Sequence, residues 1–483
     1  MRRACRRTGR ERVRDRPNVL LVVLDTARAD ATEPYGAPAG TTPVLRDLAA
    51  RGTAVRSAYA PSSWTLPSHA SLFSGLMPRA LGLGQAPDGL PTSCPPLVAA
   101  QDSRWLPAVL QRHGYATRAV SSNVWVSGAS GFDRGFDSFA QVSGHRRTSM
   151  GAPGPKARLQ WAAHVLKSEA DAGAQEAREQ VARWQSEDGT QPFFWFVNLL
   201  ECHSPYLPPK PWNDLGPIAR VRAGDEFRQH LTLHAIWKAS LSGVALPPEV
   251  LDRMRHLYQR AVSSMDAWLG GVLEELDRRK VLDDTVVMVT SDHGENFGDE
   301  GLMGHAFSVD ERLVRVPLVV AGPGDWPTDE VTSLVDVPRL LTNALGISGL
   351  PYADDPRTSG VAVSTLDPIA TREHPATLDA KERWHLGERG VGMLSDPAVA
   401  ASDGRWKVVR DTLGERAYDL ATDPHGTTSR PLTDVPEQTR SLLLQAISAA
   451  EKVEPAPVSD TAVNTDDVDV EGLEAQLKLL GYL

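Results

Sequence analysis

Short, uninterrupted apolar runs recur along this chain and are separated by longer stretches with helical periodicity. The first run, Asn18–Leu24, contains only valine and leucine after its asparagine and is stopped by Asp25. This is the pattern of a central parallel strand that is buried on both faces. Three later runs have the same character: residues 193–200, Thr285–Thr290 and residues 316–321. Helical stretches such as Pro43–Arg51 and 248–279 lie between them, and this alternation predicts an α/β fold.

Polar residues that can do chemistry follow the predicted strands. Each of the first three runs is followed directly by an aspartate, a glutamate or a serine with aspartate and histidine behind it. In open α/β sheets, ligands bind beyond the carboxyl ends of the strands, so the pattern indicates a functional site at that edge. Taken singly, each of these polar residues is equally well explained as a helix cap.

Changes of composition divide the chain into parts. Residues 143–191 are polar and rich in glycine and alanine, with one helix-like stretch at 158–186, which indicates an insertion over the face that carries the site. Beyond residue 366 short strand-like pieces alternate with turns. The predicted organisation is a disordered, Arg-rich start at 1–16, a main domain at 17–366, a small α+β subdomain at 367–452, and an acidic tether with a terminal helix at 453–483.

Composition and charge exclude several classes of protein. The 483 residues are 41% hydrophobic, which is ordinary for a globular protein of two or three domains and excludes global disorder. Lysine and arginine number 51 against 61 acidic residues, for a net charge of −10. The chain therefore has no overall basic field that would hold a nucleic acid.

Cysteine content and the length of the apolar runs predict a cytoplasmic protein. The three cysteines, Cys5, Cys94 and Cys202, are too few and too scattered for a disulfide framework or a cysteine-ligated zinc site. The apolar run after the Arg-rich start is too short for a signal peptide, and no run approaches the roughly 18 residues that a membrane span needs. We expect neither a membrane nor a nucleic acid as partner, and the sequence does not define an oligomeric state.

Four segments far apart in the sequence carry metal-ligand or nucleophile candidates. Asp25 at a strand end could bind a hard cation. The hydroxyl-rich segment 62–75 could point side-chain oxygens and helix N–H groups at an anion. Asp292 and His293 leave a strand together, and both can become ligands only if the chain bends there. The fourth candidate is His305, a lone histidine in a loop. A cap, a polar loop or a surface histidine explains each segment alone, so their coincidence carries the argument.

Together these segments resemble the sulfatase branch of the alkaline phosphatase superfamily. Residues 17–25 resemble the opening strand and first metal ligand of that family, and 291–298 with 315–318 resemble its second metal half-site. Residues 406–409 and 418–424 resemble its small C-terminal domain. The resemblance covers most of the chain. It implies a large, mostly parallel sheet flanked by helices, a catalytic domain at 17–366 and a small C-terminal α+β domain.

The resemblance implies a one-metal site with a threonine at its centre. Carried over by position, Asp25, Asp292 and His293 are the ligands of one divalent cation, and Thr65 is the nucleophile bound to it. Family members that hydrolyse sulfate esters carry Cys or Ser, any residue, then Pro-Ser-Arg, and oxidise the first residue to formylglycine. This chain has Thr-Leu-Pro-Ser-His from Thr65 to His69, and threonine has no route to that aldehyde.

Threonine changes how the covalent intermediate must be resolved. A formylglycine hydrate expels sulfate by hemiacetal collapse, whereas a threonine ester needs a second displacement, which phosphorus tolerates well. The resemblance therefore favours hydrolysis of a small anionic phosphate ester, diester or phosphonate, with sulfate-ester cleavage without formylglycine left open. A transferase that passes the group to an alcohol or amine is the first alternative. A non-catalytic anion-binding protein is disfavoured because all four central residues are retained.

Further departures bear on the metal and on the histidines. Thr26 stands where many sulfatases have a second aspartate ligand, and His293 stands where calcium sulfatases often have an amide. These changes favour Mn²⁺ or Zn²⁺, with Ca²⁺ and Mg²⁺ still compatible. The resemblance further implies that His69 and His305 contact the anion and that His203 protonates the leaving oxygen. A structural bond to the loop is the alternative for His69, and packing at a strand end is the alternative for His203.

Overall fold

The structure is a computed structural model that describes residues 16–86, 90–142, 155–167, 171–187, 189, 191–352 and 360–454. The predicted disordered start and tether lie almost wholly outside the described residues, as do the predicted terminal helix and part of the predicted insertion. Of the helices in the described ranges, none is both long and apolar enough to cross a membrane.

The strands of the described ranges lie between Asn18 and Asp419. In chain order they are β1 (Asn18–Leu24), β2 (Thr53–Ala54), β3 (Ser57–Tyr59), β4 (Ala116–Ser121), β5 (Ser138–Gln141), β6 (Phe193–Leu199), β7 (Thr285–Thr290), β8 (Asn296–Asp299), β9 (Leu302–Gly304), β10 (Leu318–Ala321), β11 (Val331–Ser333), β12 (Ala362–Leu366), β13 (Ala398–Ser402), β14 (Trp406–Asp411) and β15 (Gly414–Asp419).

Helices separate most of these strands, and several of them begin with proline, whose fixed φ suits the first helical turn. In chain order they are α1 (Pro43–Arg51), α2 (Thr65–Ser74), α3 (Pro78–Leu81), α4 (Pro95–Ala99), α5 (Leu106–Arg112), α6 (Pro155–Lys167), α7 (Ala174–Glu187), α8 (Pro217–His230), α9 (Leu233–Ser242), α10 (Pro248–Arg278), α11 (Glu311–Val314), α12 (Val337–Ala344), α13 (Pro375–Trp384), α14 (Glu388–Ser395) and α15 (Glu437–Glu451).

A seven-stranded sheet forms the centre of the molecule. Its strand order is β2-β10-β7-β1-β6-β4-β5, and β1 pairs in parallel with both β6 and β7. Strands β4 and β5 continue the parallel set, whereas β10 runs antiparallel to β7. The prediction of an α/β fold with a large, mostly parallel sheet is therefore confirmed.

The side chains of β1 alternate between two hydrophobic cores, one on each face of the sheet. Even-numbered positions from Leu20 to Leu24 pack with residues of α7, α8 and α10. Odd-numbered positions from Val19 to Val23 pack with residues of α2, α5 and α12. Because both faces of this strand are covered by helices, every position is buried, which explains why its sequence is apolar without alternation.

Several element boundaries differ from the sequence prediction for physical reasons. Helix α1 has the predicted bounds, and α10 ends one residue earlier than predicted. The single stretch predicted at 158–186 is two helices, α6 and α7. Gly173 directly precedes α7 with φ +119°, an angle that no helix accommodates. The strand predicted at 316–321 begins only at Leu318, since Pro317 has no N–H to donate to a sheet ladder.

A second sheet lies in the C-terminal part of the chain. Its four strands pair antiparallel in the order β12-β13-β14-β15. Helix α15 covers one face through Leu443 and Ile447, while the other face packs against Tyr59 and Leu313 of the main domain. Strand β12 precedes the subdomain boundary predicted at residue 367. The small C-terminal α+β region is thus present and packs directly on the main domain.

Candidate active site

Four neighbouring parallel strands deliver polar side chains to one edge of the central sheet. Asp25 directly follows β1, Asp292 lies just beyond β7, Asn198 is near the end of β6, and Asn123 lies just beyond β4. Because these strands are adjacent in the order β7-β1-β6-β4, their carboxyl ends meet at one place. Thr65 joins this group as the first residue of α2.

Asp25, Asp292 and His293 form a buried group that could hold a metal ion. One ligand atom of each lies within 4.8 Å of the other two, and all three residues are fully buried. Among the residues that the structure describes, Asp25 Oδ1 and Asp292 Oδ2 have no hydrogen-bond partner. Burying anionic oxygens without partners is unfavourable, and a divalent cation bound by carboxylate oxygens and an imidazole nitrogen would satisfy both. The residues present therefore fit a divalent metal.

The ionised forms of the two buried aspartates are disfavoured. Burial raises the pKa of Asp25 well above its ordinary range, and the carboxylate of Asp292 raises it further. Burial likewise raises the pKa of Asp292 to about 7. Two buried carboxyl groups this close ionise together only with a compensating positive charge, which is what a divalent cation supplies.

The chain bends directly after β7, and this bend turns both Asp292 and His293 towards the site. A Cβ on Gly294 would lie 1.9 Å from the Arg312 carbonyl oxygen, so glycine is needed for this close approach. The backbone N–H groups of Thr26 and His293 donate to Asp292 Oδ1 at 3.1 and 3.0 Å. The bend that Asp292 and His293 need in order to face the same site is therefore present.

His293 presents its Nε2 atom to the group. Its Nδ1 lies 2.9 Å from the carbonyl oxygen of Gly294, so Nδ1 carries the proton and Nε2 keeps its lone pair. Nε2 lies 3.3 Å from Asp292 Oδ2 and 3.4 Å from Thr65 Oγ1. Burial lowers the pKa of His293 well below its ordinary value, and the imidazole of His305 lowers it further. The ring is thus neutral, as a metal ligand must be.

Thr65 lies beside this group with its hydroxyl directed into the site. The residue is 2% exposed. Asn123 Nδ2 lies 3.3 Å from Thr65 Oγ1 and 2.8 Å from Asp25 Oδ2, so one amide group positions both residues. The hydroxyl also sits at the N-terminus of α2, where free N–H groups and the helix dipole favour a bound anion.

His69 lies one helical turn behind Thr65 and is fully buried. Its Nδ1 lies 3.0 Å from the carbonyl oxygen of Thr65, and its Nε2 accepts from Asn198 Nδ2 at 3.2 Å. Burial lowers the pKa of His69 to about 4, which makes the ring neutral at pH 7. Both ring nitrogens therefore have protein partners in this structure, and the contact of His69 with an anion stays a prediction.

Comparison with known proteins places these residues in a family. The sequence model of the family described as Sulfatase matches residues 17–347, well over half of the chain. The chain belongs to the sulfatase family. It is 25% identical over 471 residues to choline-sulfatase of Rhizobium meliloti, covering 90% of this chain and 85% of that protein. It is 24% identical over 473 residues to arylsulfatase K of Mus musculus, covering 90% and 79%.

Solved structures agree with this sulfatase assignment at the level of the fold. The crystal structure of a phosphonate monoester hydrolase of Agrobacterium radiobacter superimposes with a TM-score of 0.61 at 20% identity, covering 91% of this chain and 95% of the other. The resemblance to the sulfatase branch of the alkaline phosphatase superfamily is confirmed. The chain is a sulfatase-family hydrolase, an enzyme that acts on ester bonds.

Thr26 follows Asp25 and has an unusual backbone conformation. The residue has φ +63°, which is strained for a β-branched side chain. Its N–H donates to Asp292, as described above, while its hydroxyl is buried without a hydrogen-bond partner among the described residues. Thr26 thus contacts Asp292 through its backbone.

His203 and His305 line the opposite side of His293. The ring centroid of His305 is 4.5 Å from that of His293 and 5.2 Å from that of His203. Glu295 Oε1 lies 3.1 Å from His305 Nδ1, and the hydroxyl of Tyr206 donates to Glu295 Oε2 at 2.7 Å. Burial opposes protonation of His305, but the Glu295 carboxylate outweighs it and the pKa of His305 is raised. The structure brings both predicted histidines to the site.

Sequence reasoning missed Asn123, Asn198 and Glu295. Asn123 and Asn198 lie at the ends of two parallel strands beside β1, so the rule that ligands collect at strand ends could have found them. Asparagine is common in turns, and β4 lacks a continuous apolar run, which hid the first of them. Glu295 lies two residues after His293, within the 291–298 segment that resembles the second metal half-site of the family, but the resemblance gives it no role. The sequence contains no signal that it would meet His305.

Proposed function

We propose that this sulfatase-family enzyme is a metal-dependent hydrolase that cleaves a phosphate diester, phosphonate or sulfate ester through Thr65, with phosphorus esters preferred. One observation carries the proposal. The hydroxyl of Thr65 lies within 3.4 Å of both Asn123 Nδ2 and His293 Nε2, beside two carboxylates with orphaned oxygens. A hydroxyl is a weak nucleophile unless its surroundings activate it, and this position provides such surroundings.

Asp25, Asp292 and His293 would hold the cation, with Thr65 next to it. A divalent cation there would polarise the ester and lower the pKa of an adjacent hydroxyl group. An N/O ligand set with one imidazole is compatible with Mn²⁺ and Zn²⁺. Asn123 keeps the side chains of Asp25 and Thr65 in register, because its single amide nitrogen bonds both.

The proposed reaction has two steps, in which Thr65, His203 and His305 have different roles. The Thr65 hydroxyl gives its proton to solvent, and its oxygen forms a bond to phosphorus or sulfur while the bond to the leaving alcohol oxygen breaks. In this proposal protonated His203 gives its proton to that leaving oxygen. His305, held by Glu295, faces the anionic group. In the second step His203 takes a proton from a water molecule that attacks the same centre, the bond to Thr65 breaks, and the released Thr65 oxygen regains a proton from solvent.

The second step is the reason for the preference for phosphorus. The β-carbon of threonine carries a methyl group, so its oxidation would give a ketone and never the aldehyde of formylglycine. An ester of Thr65 must then be cleaved at phosphorus or sulfur. Phosphoryl centres accept in-line displacement in both steps, with catalysis through positioning and charge.

The test compares three variants on purified protein whose metal content has been measured by mass spectrometry. We expect Thr65→Ala to lower kcat by about 10³-fold or more, with metal content unchanged, and Thr65→Ser to keep measurable activity. Ser63→Ala is the matched control, since Ser63 is a buried neighbour with no hydrogen-bond partner for its hydroxyl. For each variant, kcat is measured with four substrates: nitrophenyl phosphate, a nitrophenyl phosphodiester, a phenylphosphonate ester and nitrophenyl sulfate.

Two results would contradict the proposal. Full activity of Thr65→Ala would show that Thr65 is not the nucleophile. A rate on nitrophenyl sulfate that exceeds all phosphorus esters would leave the nucleophile in place and overturn the preference for phosphorus. Mass spectrometry of protein quenched during turnover should find the added group on the peptide that contains Thr65.

A further inference from the structure

A cavity of about 250 Å³ lies next to the proposed reaction site. Its walls come from the loop that precedes α2, from the loops that follow α3, β4, β6 and β7, from helix α9 with the loop after β9, and from the residues around the end of β12. The residues that define its chemistry are Trp64, Trp125, Ile236, Trp237, Ala306 and Leu366.

The cavity is placed where the leaving part of an ester would go. Trp64 directly precedes Thr65 in the chain, and Trp125 follows Asn123 by two residues. His203 and His305 form part of its wall, so the group that would protonate the leaving oxygen stands at the boundary between the reaction site and the cavity. An ester bound with its anionic part beside Thr65 thus directs its organic part into this space.

The walls are largely apolar, and several of their polar groups already have protein partners, among them the indole N–H of Trp64, which donates to the carbonyl of Gly84 at 3.2 Å. Trp64 and Trp125 meet edge to face, with ring centroids 5.4 Å apart. Gln85 donates its amide to the carbonyl of Asp367 at 3.0 Å. Both oxygens of Glu295 have partners, as described above. Within the described residues the cavity therefore offers few hydrogen-bonding groups for the hydroxyls of a sugar, and burying such hydroxyls unpaired is unfavourable.

We propose that the substrate's leaving group is uncharged, apolar and about the size of a substituted or fused aromatic ring, and that this cavity holds it. The inference rests on the proposed function and names its substrate class. An apolar cavity of about 150 Å³ holds benzene, so one of about 250 Å³ holds a larger ring. Tryptophan edges and faces favour contact with such a ring.

An ester of a quaternary ammonium alcohol is the main competitor, because aromatic rings also bind cations. The acidic side chain in the wall is Glu295, and it already receives the Tyr206 hydroxyl and lies against His305. A cationic group would stand beside His203 and His305 with no unpaired acid in the described wall to balance it. The uncharged ring is therefore the better match.

The experiment compares naphthyl, methyl, choline and glucose esters of whichever acid group the enzyme turns over. We expect kcat/KM for the naphthyl ester to exceed that of the others. In Trp237→Ala the naphthyl-to-methyl ratio should fall about 10- to 100-fold, the range by which apolar pockets discriminate. Ile236→Trp, which fills the cavity, should lower the same ratio. Trp212→Ala is the matched control, because Trp212 packs against Arg260 outside the cavity wall, and its ratio should equal that of the wild type.

Binding of 2-naphthol, measured by calorimetry, separates failure of this inference from failure of the proposed chemistry. If no ester is turned over but naphthol binds the wild type and binds Trp237→Ala at least tenfold more weakly, the cavity assignment stands and the proposed reaction does not. Preference for the choline or glucose ester overturns the assignment. So does a naphthyl-to-methyl ratio that neither Trp237→Ala nor Ile236→Trp changes.

Discussion

Asn123 links two groups that the proposed reaction needs in a fixed relation. Its amide nitrogen bonds both Asp25 and Thr65, while its amide oxygen accepts from the N–H of Trp125 at 2.9 Å. The oxygen is thus used to fix the amide's orientation, which leaves the nitrogen facing the site. Asn123 is a positioning residue, and its effect on rate should be separable from any effect on folding.

We predict that Asn123→Ala lowers kcat and metal affinity by about 10- to 100-fold each, the usual loss when a supporting bond to a metal ligand is removed. KM should change much less than kcat, and the melting temperature should stay close to that of the wild type. Steady-state kinetics and metal titration provide the measurements.

Gln141→Ala is the control for Asn123→Ala, because the Gln141 side chain donates to the backbone carbonyl of Asn123, at 3.1 Å, rather than to its amide. That variant should keep both kcat and metal affinity. Equal losses in the two variants would mean that the loop, and not the amide of Asn123, matters.

Part of this candidate site could be proposed from the sequence. Asp25, Asp292 and His293 could be proposed because they follow predicted strands, whereas Thr65 received its role only through the resemblance to the sulfatase branch. The surroundings of His69 could not be deduced, since a histidine that donates to a backbone carbonyl and one that faces an anion have the same sequence context. The positions of Thr65 and Asn198, which the structure supplies, define those surroundings.

At the scale of secondary-structure elements, one carboxylate of α10 binds the N-terminus of α1 through hydrogen bonds. Asp266, in the middle of α10, accepts from the N–H groups of Val44 and Leu45 at 3.0 and 2.9 Å. These are orphan donors of the first turn of α1, which has no side-chain cap of its own,. Burial raises the pKa of Asp266 to about 6, so the folded state prefers the protonated carboxyl.

This shift predicts a pH dependence of stability with a definite sign. Because the folded pKa lies above the unfolded one, the contribution of Asp266 is fully present below about pH 4 and is lost as pH rises through about 6. Asp266→Asn removes the titration and keeps an acceptor oxygen. Between pH 4 and 7 the wild type should lose roughly 2 to 3 kcal/mol relative to Asp266→Asn.

Urea denaturation at several pH values measures the difference between the wild type and Asp266→Asn, which cancels the other titrating groups. Parallel stability profiles for the two proteins would refute this account. Asp266→Ala, which leaves both α1 donors without an acceptor, should be less stable than Asp266→Asn at every pH.

The elements that the sequence predicted best are those with the simplest environments. Strands β1, β6 and β7 are covered on both faces, so their sequences are continuously apolar and their bounds could be assigned within one residue. Strand β4 was missed because Thr117 and Arg118 interrupt its apolar pattern. The break at Gly173 was missed because a glycine in a polar, alanine-rich segment gives no sign of its φ angle.

At the scale of the whole molecule, a buried ion pair joins the C-terminal sheet to the main domain. Lys407 of β14 lies 2.9 Å from Glu311 of α11, with side chains 3% and 1% exposed. Lys407 also donates to the carbonyl of Val309 at 2.8 Å, and Tyr59 donates to Glu311 at 3.1 Å. Removing one partner would leave the other charge buried without compensation.

We predict that Lys407→Met lowers the free energy of unfolding by about 3 to 5 kcal/mol. Arg405→Met, two residues away with a side chain that is 65% exposed, is the control and should stay within about 0.5 kcal/mol of the wild type. Chemical denaturation followed by tryptophan fluorescence measures both. The double variant Lys407→Met, Glu311→Leu should recover much of the loss, and a single variant as stable as the control would show that the pair contributes nothing.

The arrangement of domains was predictable in outline and not in detail. Sequence patterns indicated the change to short strands after residue 366, but β12 already belongs to the second sheet. Nothing in the sequence indicated that Leu366 and Ile369 would help to enclose the cavity beside Thr65. Contacts between residues about 300 positions apart leave no local pattern, because both partners satisfy only the general requirement to be apolar.

The central position of β1 has a consequence for how this chain is made on the ribosome. Its partners β6 and β7 end at Leu199 and Thr290, so this early strand has both of its neighbours only after Thr290 has been synthesised. At about 5 to 20 residues per second, the nascent chain carries this almost wholly apolar segment without both neighbours for tens of seconds. Protection of that segment during translation is therefore a requirement that the topology itself imposes on the cell.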